Sequence, residues 1–206
     1  MKFYLSSYMI PTPNDLFSLV GKGPAKIKVG FITNAKDYYA TRARNVKIKK
    51  IYDYLIGLGL TVNTIDLRDY NDQNKLKNDL SKFDILWVGG GNTFCLRYEM
   101  KRSGFEDVIK DVLESGVVYG GDSAGAIVAG RSLKDTELVD ESEFAEEIIW
   151  DGIGLVDHFI LPHVNSPELG KKIEQIAELH KNDKTIIKLT DTQALVIEDN
   201  VERIVG

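Results

Sequence analysis

The sequence predicts a three-layer, doubly wound α/β fold built on a mostly parallel sheet. Two observations predict it. Short β-rich runs alternate along the chain with segments whose apolar residues recur every three and four positions, the signature of strands exchanging with amphipathic helices. Several strand-like runs, Ile85-Leu86-Trp87-Val88 and Gly116-Val117-Val118-Tyr119 among them, are apolar throughout instead of alternating, as strands covered by helices on both faces are. Strands and helices joined by short connections give a parallel sheet, and binding sites in such sheets form just beyond the carboxyl ends of the strands.

In chain order, strands are expected at 3–8, 28–33, 61–67, 85–89, 117–120, 158–161, 185–189 and 194–198. Ile48, Ile51, Tyr52, Leu55 and Ile56 define a helix closed by Gly57 or Gly59. Phe105, Val108, Ile109, Val112 and Leu113 define another, closed by Gly116. In both, glycine stands where the chain leaves the helix through a left-handed residue. A helix follows each of the two glycine motifs, at 89–94 and 121–125, and a polar-rich helix spans 168–180. At the C-terminal end, 194–198 and 201–205 flank Asp199-Asn200, a tight-turn pair that predicts an edge hairpin.

The chain has 206 residues, 43% of them hydrophobic, enough to bury a sizeable core and to suit one globular domain over 1–206. Its net charge of −5 is not offset by a basic patch, which argues against nucleic acid as a partner. The one dense stretch, Lys47-Ile48-Lys49-Lys50, reads as a solvated helix face. A single cysteine cannot close an internal disulfide, and Cys95 with His158, His163 and His180 lacks the clustered spacing of a structural zinc site. No metal or organic cofactor is expected. No apolar run approaches the ~20 residues of a membrane-spanning helix, and the first residues lack the apolar core of a signal peptide. A cytoplasmic location away from membranes is therefore expected.

Two motifs carry chemistry. Gly121-Asp122-Ser123-Ala124-Gly125 joins the strand at 117–120 to the helical Ala126-Ile127-Val128-Ala129. A serine at such a strand-to-helix turn is held in a strained backbone with its hydroxyl presented, and the Ala124 N–H beside it is a natural oxyanion donor. Gly89-Gly90-Gly91-Asn92-Thr93-Phe94 follows the strand at 85–89. Adjacent glycines let backbone N–H groups turn outward into an anion-holding nest. If the N–H groups of Gly91 and Ala124 converge, they form a two-donor oxyanion hole.

A serine nucleophile needs a base. His163, in Leu161-Pro162-His163-Val164-Asn165, lies just past a strand end, where a side chain reaches over the sheet edge. His158 falls within that strand, and His180 closes a helix, where a cation is favourable for structural reasons. His163 is the candidate base. For the orienting carboxylate, Asp135, Glu137, Asp140, Glu141 and Glu143 are all available, and spacing does not choose among them.

Together these motifs resemble the dipeptidase E family of serine peptidases, the aspartyl dipeptidases, related to cyanophycinase. The resemblance rests on Gly89-Gly90-Gly91-Asn92-Thr93-Phe94, on Ser123-Ala124-Gly125-Ala126 with Val128-Ala129-Gly130, and on Pro162-His163 with Asn165. It implies a fold like that of class I glutamine amidotransferases, with Ser123 as nucleophile, His163 as base, and Gly91 and Ala124 as oxyanion donors. Asp135-Thr136-Glu137-Leu138-Val139-Asp140 is similar to the family's acidic segment and favours Asp135 as the orienting acid, with Glu137 and Asp140 as alternatives. Asn92 and Lys172 are the implied substrate-binding residues. Lys172 stands in a segment, Glu168-Leu169-Gly170-Lys171-Lys172-Ile173-Glu174, where the aspartyl dipeptidases carry an arginine. The chain also departs from the family at Asp122, an acid where a bulky side chain is usual.

The expected activity is hydrolysis of short peptides, including dipeptides with an N-terminal aspartyl residue, by a monomer or homodimer. Two other readings compete. An amidase of the glutamine amidotransferase type needs a cysteine at the turn, whereas Cys95 lies in the helix after the glycine motif. A non-catalytic binding protein on the same fold would have no use for both Ser123 and His163.

Overall fold

The computed structural model describes residues 1–206. Its main sheet has seven strands in the order β3-β2-β4-β5-β1-β8-β9. These are β1 (Lys2–Ser6), β2 (Lys28–Ile32), β3 (Thr61–Ile65), β4 (Ile85–Val88), β5 (Val118–Asp122), β8 (Ala194–Glu198) and β9 (Val201–Val205). The five from β3 to β1 run parallel, and β8 and β9 add an antiparallel edge. At the hairpin tip, Asp199 (φ 50°) and Asn200 (φ 66°) are both left-handed, as a two-residue turn matched to the sheet twist requires. The expected strands at 158–161 and 185–189 form β6 (Phe159–Leu161) and β7 (Ile186–Lys188), a separate parallel pair.

Alternate residues of each central strand enter different cores. Phe3, Leu5, Leu86, Val88 and Tyr119 pack on one face with α3 (Gln73–Leu80), α4 (Thr93–Arg102), α5 (Phe105–Glu114) and α6 (Ala124–Ala129). Tyr4, Phe31, Ile85, Trp87 and Val118 pack on the other with α1 (Pro13–Val20) and α2 (Thr41–Gly57). Both faces are therefore dry, which is why the strands read as unbroken apolar runs. Each large side chain so buried contributes about 1.5–3 kcal/mol. α7 (Gly170–Leu179) covers the β6-β7 pair through Ile173 and Ile176. Two short helices lie outside the sequence expectation. α3 buries only Leu76 and Leu80, and α1 only Leu16 and Leu19. The glycines that leave α2 and α5 are Gly59 (φ 84°) and Gly116 (φ 104°).

The register brings the motifs together. Val88 pairs with Gly121, so the loops after β4 and β5 leave the sheet side by side. Ser6 pairs with Asp122 on the other flank of β5, and Ala194 pairs with Ser6. Because β8 is antiparallel, the turn that enters it lies at the same sheet edge as the loops that leave β1 and β5.

Candidate active site

Ser123 has φ 50° and ψ −114°, a backbone state that costs a non-glycine residue about 1–3 kcal/mol. Its surroundings impose it. Ser123 N–H donates to Ser6 O at 3.1 Å, and Ser123 O accepts from Ala126 and Ile127 N–H at 2.9 Å each. The turn closes tightly because residue 125 has no side chain, since a Cβ there would lie 2.0 Å from Val88 O. Close approach across the sheet edge also fixes Gly91, whose φ is 149° and whose Cβ would sit 2.1 Å from Ala35 O. A Cβ on Gly90 would lie 2.9 Å from Ser123 Cβ, so the glycine loop and the serine turn touch.

Ser123 Oγ lies 2.9 Å from His163 Nε2. His163 follows β6 in a left-handed conformation (φ 63°), with its N–H donating to Ser7 Oγ at 2.7 Å. On its other side, Nδ1 is 2.7 Å from Asp191 Oδ1. Ser7 Oγ in turn donates to Asp191 Oδ1 at 2.8 Å, so one hydroxyl ties the histidine's backbone to the carboxylate that orients its ring. Asp191 sits in the turn before β8, where Gln193 N–H donates to Thr190 O at 2.8 Å.

Asp135, which the family resemblance favours as the orienting acid, lies elsewhere. Its carboxylate is 2.9 Å from His180 Nε2, and that imidazole stacks on Phe159, centroids 4.1 Å apart. Asp135 therefore ties the start of a short helical turn at 136–138 to the C-cap of α7, and Asp191 occupies the position on His163. Glu137 faces a different hollow, beside Ser132 and Trp150. Asp140 does reach the site, but its Oδ2 accepts from Thr93 N–H at 2.9 Å and Thr93 Oγ1 at 2.5 Å. Burial holds its carboxyl above the usual range, opposed by those two hydrogen bonds.

The two implied substrate-binding residues are also placed differently. Asn92 is buried. Its Oδ1 accepts Cys95 N–H at 2.9 Å as the N-cap of α4, and its Nδ2 donates to Glu141 O at 2.8 Å. Both ends of the amide are engaged by the scaffold. Lys172 is exposed on α7 and does not line the cavity over Ser123. Cys95 is buried in α4, and burial, reinforced by nearby carboxylates, pushes its thiol up to about 12. A thiol so protonated is a poor nucleophile.

The cavity over Ser123 has a volume of about 320 Å³. Gly90, Gly91 and His163 line it with Ser123, as do Tyr39, Lys47, Lys50 and Leu169. Lys47 Nζ sits 4.5 Å from the Tyr39 ring centroid. The lysine run that reads as a solvated helix face is indeed exposed, but Lys47 and Lys50, three residues apart on α2, stand on the cavity wall. No group of three or more His, Cys, Asp or Glu side chains is arranged to hold a metal ion, and no helix is long and apolar enough to cross a membrane.

Residues 13–205 match the model of peptidase family S51. The chain belongs to that family. It is 29% identical to an uncharacterised peptidase of Listeria monocytogenes, over 69% of this chain and 70% of that protein. It is 27% identical to peptidase E of Streptomyces coelicolor, over 89% of this chain and 73% of the relative. In three dimensions it superposes with a TM-score of 0.80 on a Listeria monocytogenes crystal structure described as a candidate peptidase E. The identity is 26%, with 98% of this chain and 96% of that one covered. A peptidase from an acI-B1 actinobacterium shares the fold, with a TM-score of 0.71 at 17% identity, over 100% of this chain and 87% of that one. The S51 peptidase fold is thus the mostly parallel α/β sheet expected from the strand pattern.

Proposed function

We propose that this S51 peptidase is a serine hydrolase of short peptides working through an acyl-enzyme on Ser123. The observation that carries the reading is the continuous line from Ser123 Oγ through the His163 ring to Asp191, at 2.9 and 2.7 Å. His163 Nε2 takes the hydroxyl proton as Oγ attacks the scissile carbonyl, then delivers it to the leaving amine as the C–N bond breaks. Water repeats the sequence on the ester. Its proton passes through His163 back to Ser123 Oγ, and the acid product leaves. Asp191 holds the tautomer with the proton on Nδ1 and stabilises the imidazolium. The N–H groups of Gly91 and Ala124 receive the oxyanion, a donor of this kind being worth about 2.7–4 kcal/mol.

The small cavity suits short peptides. Lys47 and Lys50 at its wall support recognition of a substrate carboxylate, such as the side chain of an N-terminal aspartyl residue. Lys49 between them pairs with Asp53 at 2.6 Å, whereas Lys47 and Lys50 have no such partner. Lysine supplies a point charge and not a bidentate fork, so a preference for Asp-X over Leu-X on the order of tenfold is expected, about 1.4 kcal/mol. The single cysteine, reduced and buried, fits a reducing, cytoplasmic setting.

The test is labelling by a serine-directed fluorophosphonate, with Ser123→Ala as control, followed by a panel of dipeptides carrying Asp, Glu, Asn, Lys or Leu at the N-terminal position. Labelling lost in Ser123→Ala supports the acyl-enzyme. An unlabelled wild-type protein sinks it, and equal turnover of Asp-X and Leu-X removes the aspartyl preference.

A further inference from the structure

Gly90 is held at both of its polar ends by buried charged side chains. Its N–H donates to Asp122 Oδ1 at 3.3 Å, and its C=O accepts from Lys36 Nζ. Lys36 is 8% exposed and Asp122 4%. Taking an ammonium and a carboxylate out of water costs several kcal/mol per ion, and neither side chain has an ion-pair partner at contact distance. Both charges instead converge on one glycine residue, the carboxylate on its Gly89–Gly90 peptide and the ammonium on its Gly90–Gly91 peptide, inside a run of three glycines whose backbone rotates at little steric cost.

The consequence follows from peptide geometry. Gly90 C=O and Gly91 N–H belong to one planar trans unit and point in opposite directions. A group that fixes the carbonyl therefore fixes the N–H. Lys36 comes from the helical turn Asn34–Lys36 that follows β2, and the same turn holds the next peptide, because Ala35 O accepts Asn92 N–H at 2.7 Å. Without the ammonium, the Gly90–Gly91 peptide is free to turn over and present a carbonyl where the donor was. We propose that Lys36 is a positioning residue for the oxyanion hole: its ammonium, acting with Asp122 on the other end of Gly90, locks the Gly90–Gly91 peptide so that Gly91 N–H is available to the oxyanion on the Ser123 adduct. This rests on the serine-hydrolase reading above and accounts for an acid beside the nucleophile. Asp122 lines the cavity over Ser123, and its Oδ1 is committed to the glycine loop through Gly90 N–H.

The test compares wild type, Lys36→Met and Lys36→Cys on the best dipeptide of the panel, with melting curves to show that each variant folds. Lys36→Met is expected to lower kcat on the order of 10²-fold, the loss that follows removal of one oxyanion donor, with KM within about threefold. Treating Lys36→Cys, whose thiol stands at a position that lines the cavity over Ser123, with 2-bromoethylamine rebuilds an ammonium on a side chain of lysine's length and is expected to restore kcat, while Cys95, which does not line that cavity and whose thiol is held protonated, stays unmodified. Unchanged kcat in Lys36→Met overturns the proposal. So does a raised KM at constant kcat, which would make Lys36 a substrate contact. A wild-type protein that neither cleaves the panel nor takes the fluorophosphonate overturns the serine-hydrolase reading instead. In that case the crystal structure of Lys36→Met decides the matter. A Gly90–Gly91 peptide turned from its wild-type orientation supports the lock, and an unmoved one removes it.

Discussion

Two histidine–aspartate pairs in this molecule are nearly matched. His163 lies 2.7 Å from Asp191 and His180 lies 2.9 Å from Asp135, and both imidazole side chains are 15% exposed. One meets a serine hydroxyl with its second nitrogen, and the other lays its ring flat against Phe159. A carboxylate on a histidine orients the ring, but the chemistry depends on where the free nitrogen points. His163 leaves a strand end in a left-handed conformation over the sheet edge, whereas His180 is folded into the C-cap of α7.

The largest effects separate the two histidines. Ser123→Ala and His163→Ala are each expected to lower kcat by about 10⁴-fold or more, since members of such a unit act together. His180→Ala is expected to leave kcat within about twofold. Dipeptide turnover measures this, and comparable losses at both histidines would erase the distinction between them. The carboxylates form the next step. Asp191→Asn is expected to cost on the order of 10³–10⁴-fold in kcat, because it favours the wrong tautomer of His163. Asp135→Asn is expected to cost little activity. The reverse result would return the orienting role to Asp135. Ser7→Ala, which cuts the link between Asp191 and the His163 backbone, is expected to lower kcat about tenfold, the worth of roughly one hydrogen bond.

These contrasts also explain what could be read from the sequence. The strands, the serine turn and His163 were legible because each leaves a local pattern: an apolar run, a glycine spacing, a polar residue just past a strand. Asp191 was not, because it joins His163 only through the antiparallel return of β8 beside β1. A signal did exist. Asp191 follows β7 as His163 follows β6, and Ser7 and Lys36 follow β1 and β2 in the same way. Strand-end position therefore marks the residues gathered around Ser123 better here than likeness to the family's acidic segment, which favours Asp135. The lysines of α2 were masked by their exposure, which looks the same on a solvated face and on a cavity wall. Asn92 caps α4, and an N-cap and a substrate ligand call for the same residue type.

On the structural side, the His180–Asp135 pair predicts a loss of stability where the His163 pair predicts a loss of rate. Asp135→Ala is expected to cost about 1–2 kcal/mol in denaturant unfolding, the range for a partly shielded hydrogen bond to a charged group. Asp191→Ala, whose carboxylate is 42% exposed, is expected to cost less. Equal destabilisation by the two variants would mean that the site is as much a part of the scaffold as the α7 contact is.

The smallest effects contrast the same two regions through pH. Asp183, in the turn between α7 and β7, is held down to about 2, first by hydrogen bonds from Thr185 N–H and Oγ1 and then by Arg131. Asp140, beside the cavity over Ser123, is raised by burial. The ordinary value for both is 3.8. A depressed carboxylate contributes stability that is complete above its unfolded value and disappears as pH falls through its folded one. The deficit of Asp183→Asn against wild type should therefore be full near neutrality and vanish between 3.8 and about 2. A raised carboxylate does the opposite: the folded state prefers the proton, so a penalty develops as pH climbs past 3.8. Asp140→Asn keeps an acceptor for Thr93 without the charge, and its advantage over wild type should be absent in acid and grow as pH rises. Each effect is about 1 kcal/mol, or about 2–4 °C in Tm for a chain of this length. Melting curves from pH 2 to 7 should thus diverge from wild type in opposite directions. Parallel curves would show that the charge environments of the two regions do not differ as their hydrogen bonds and burial require.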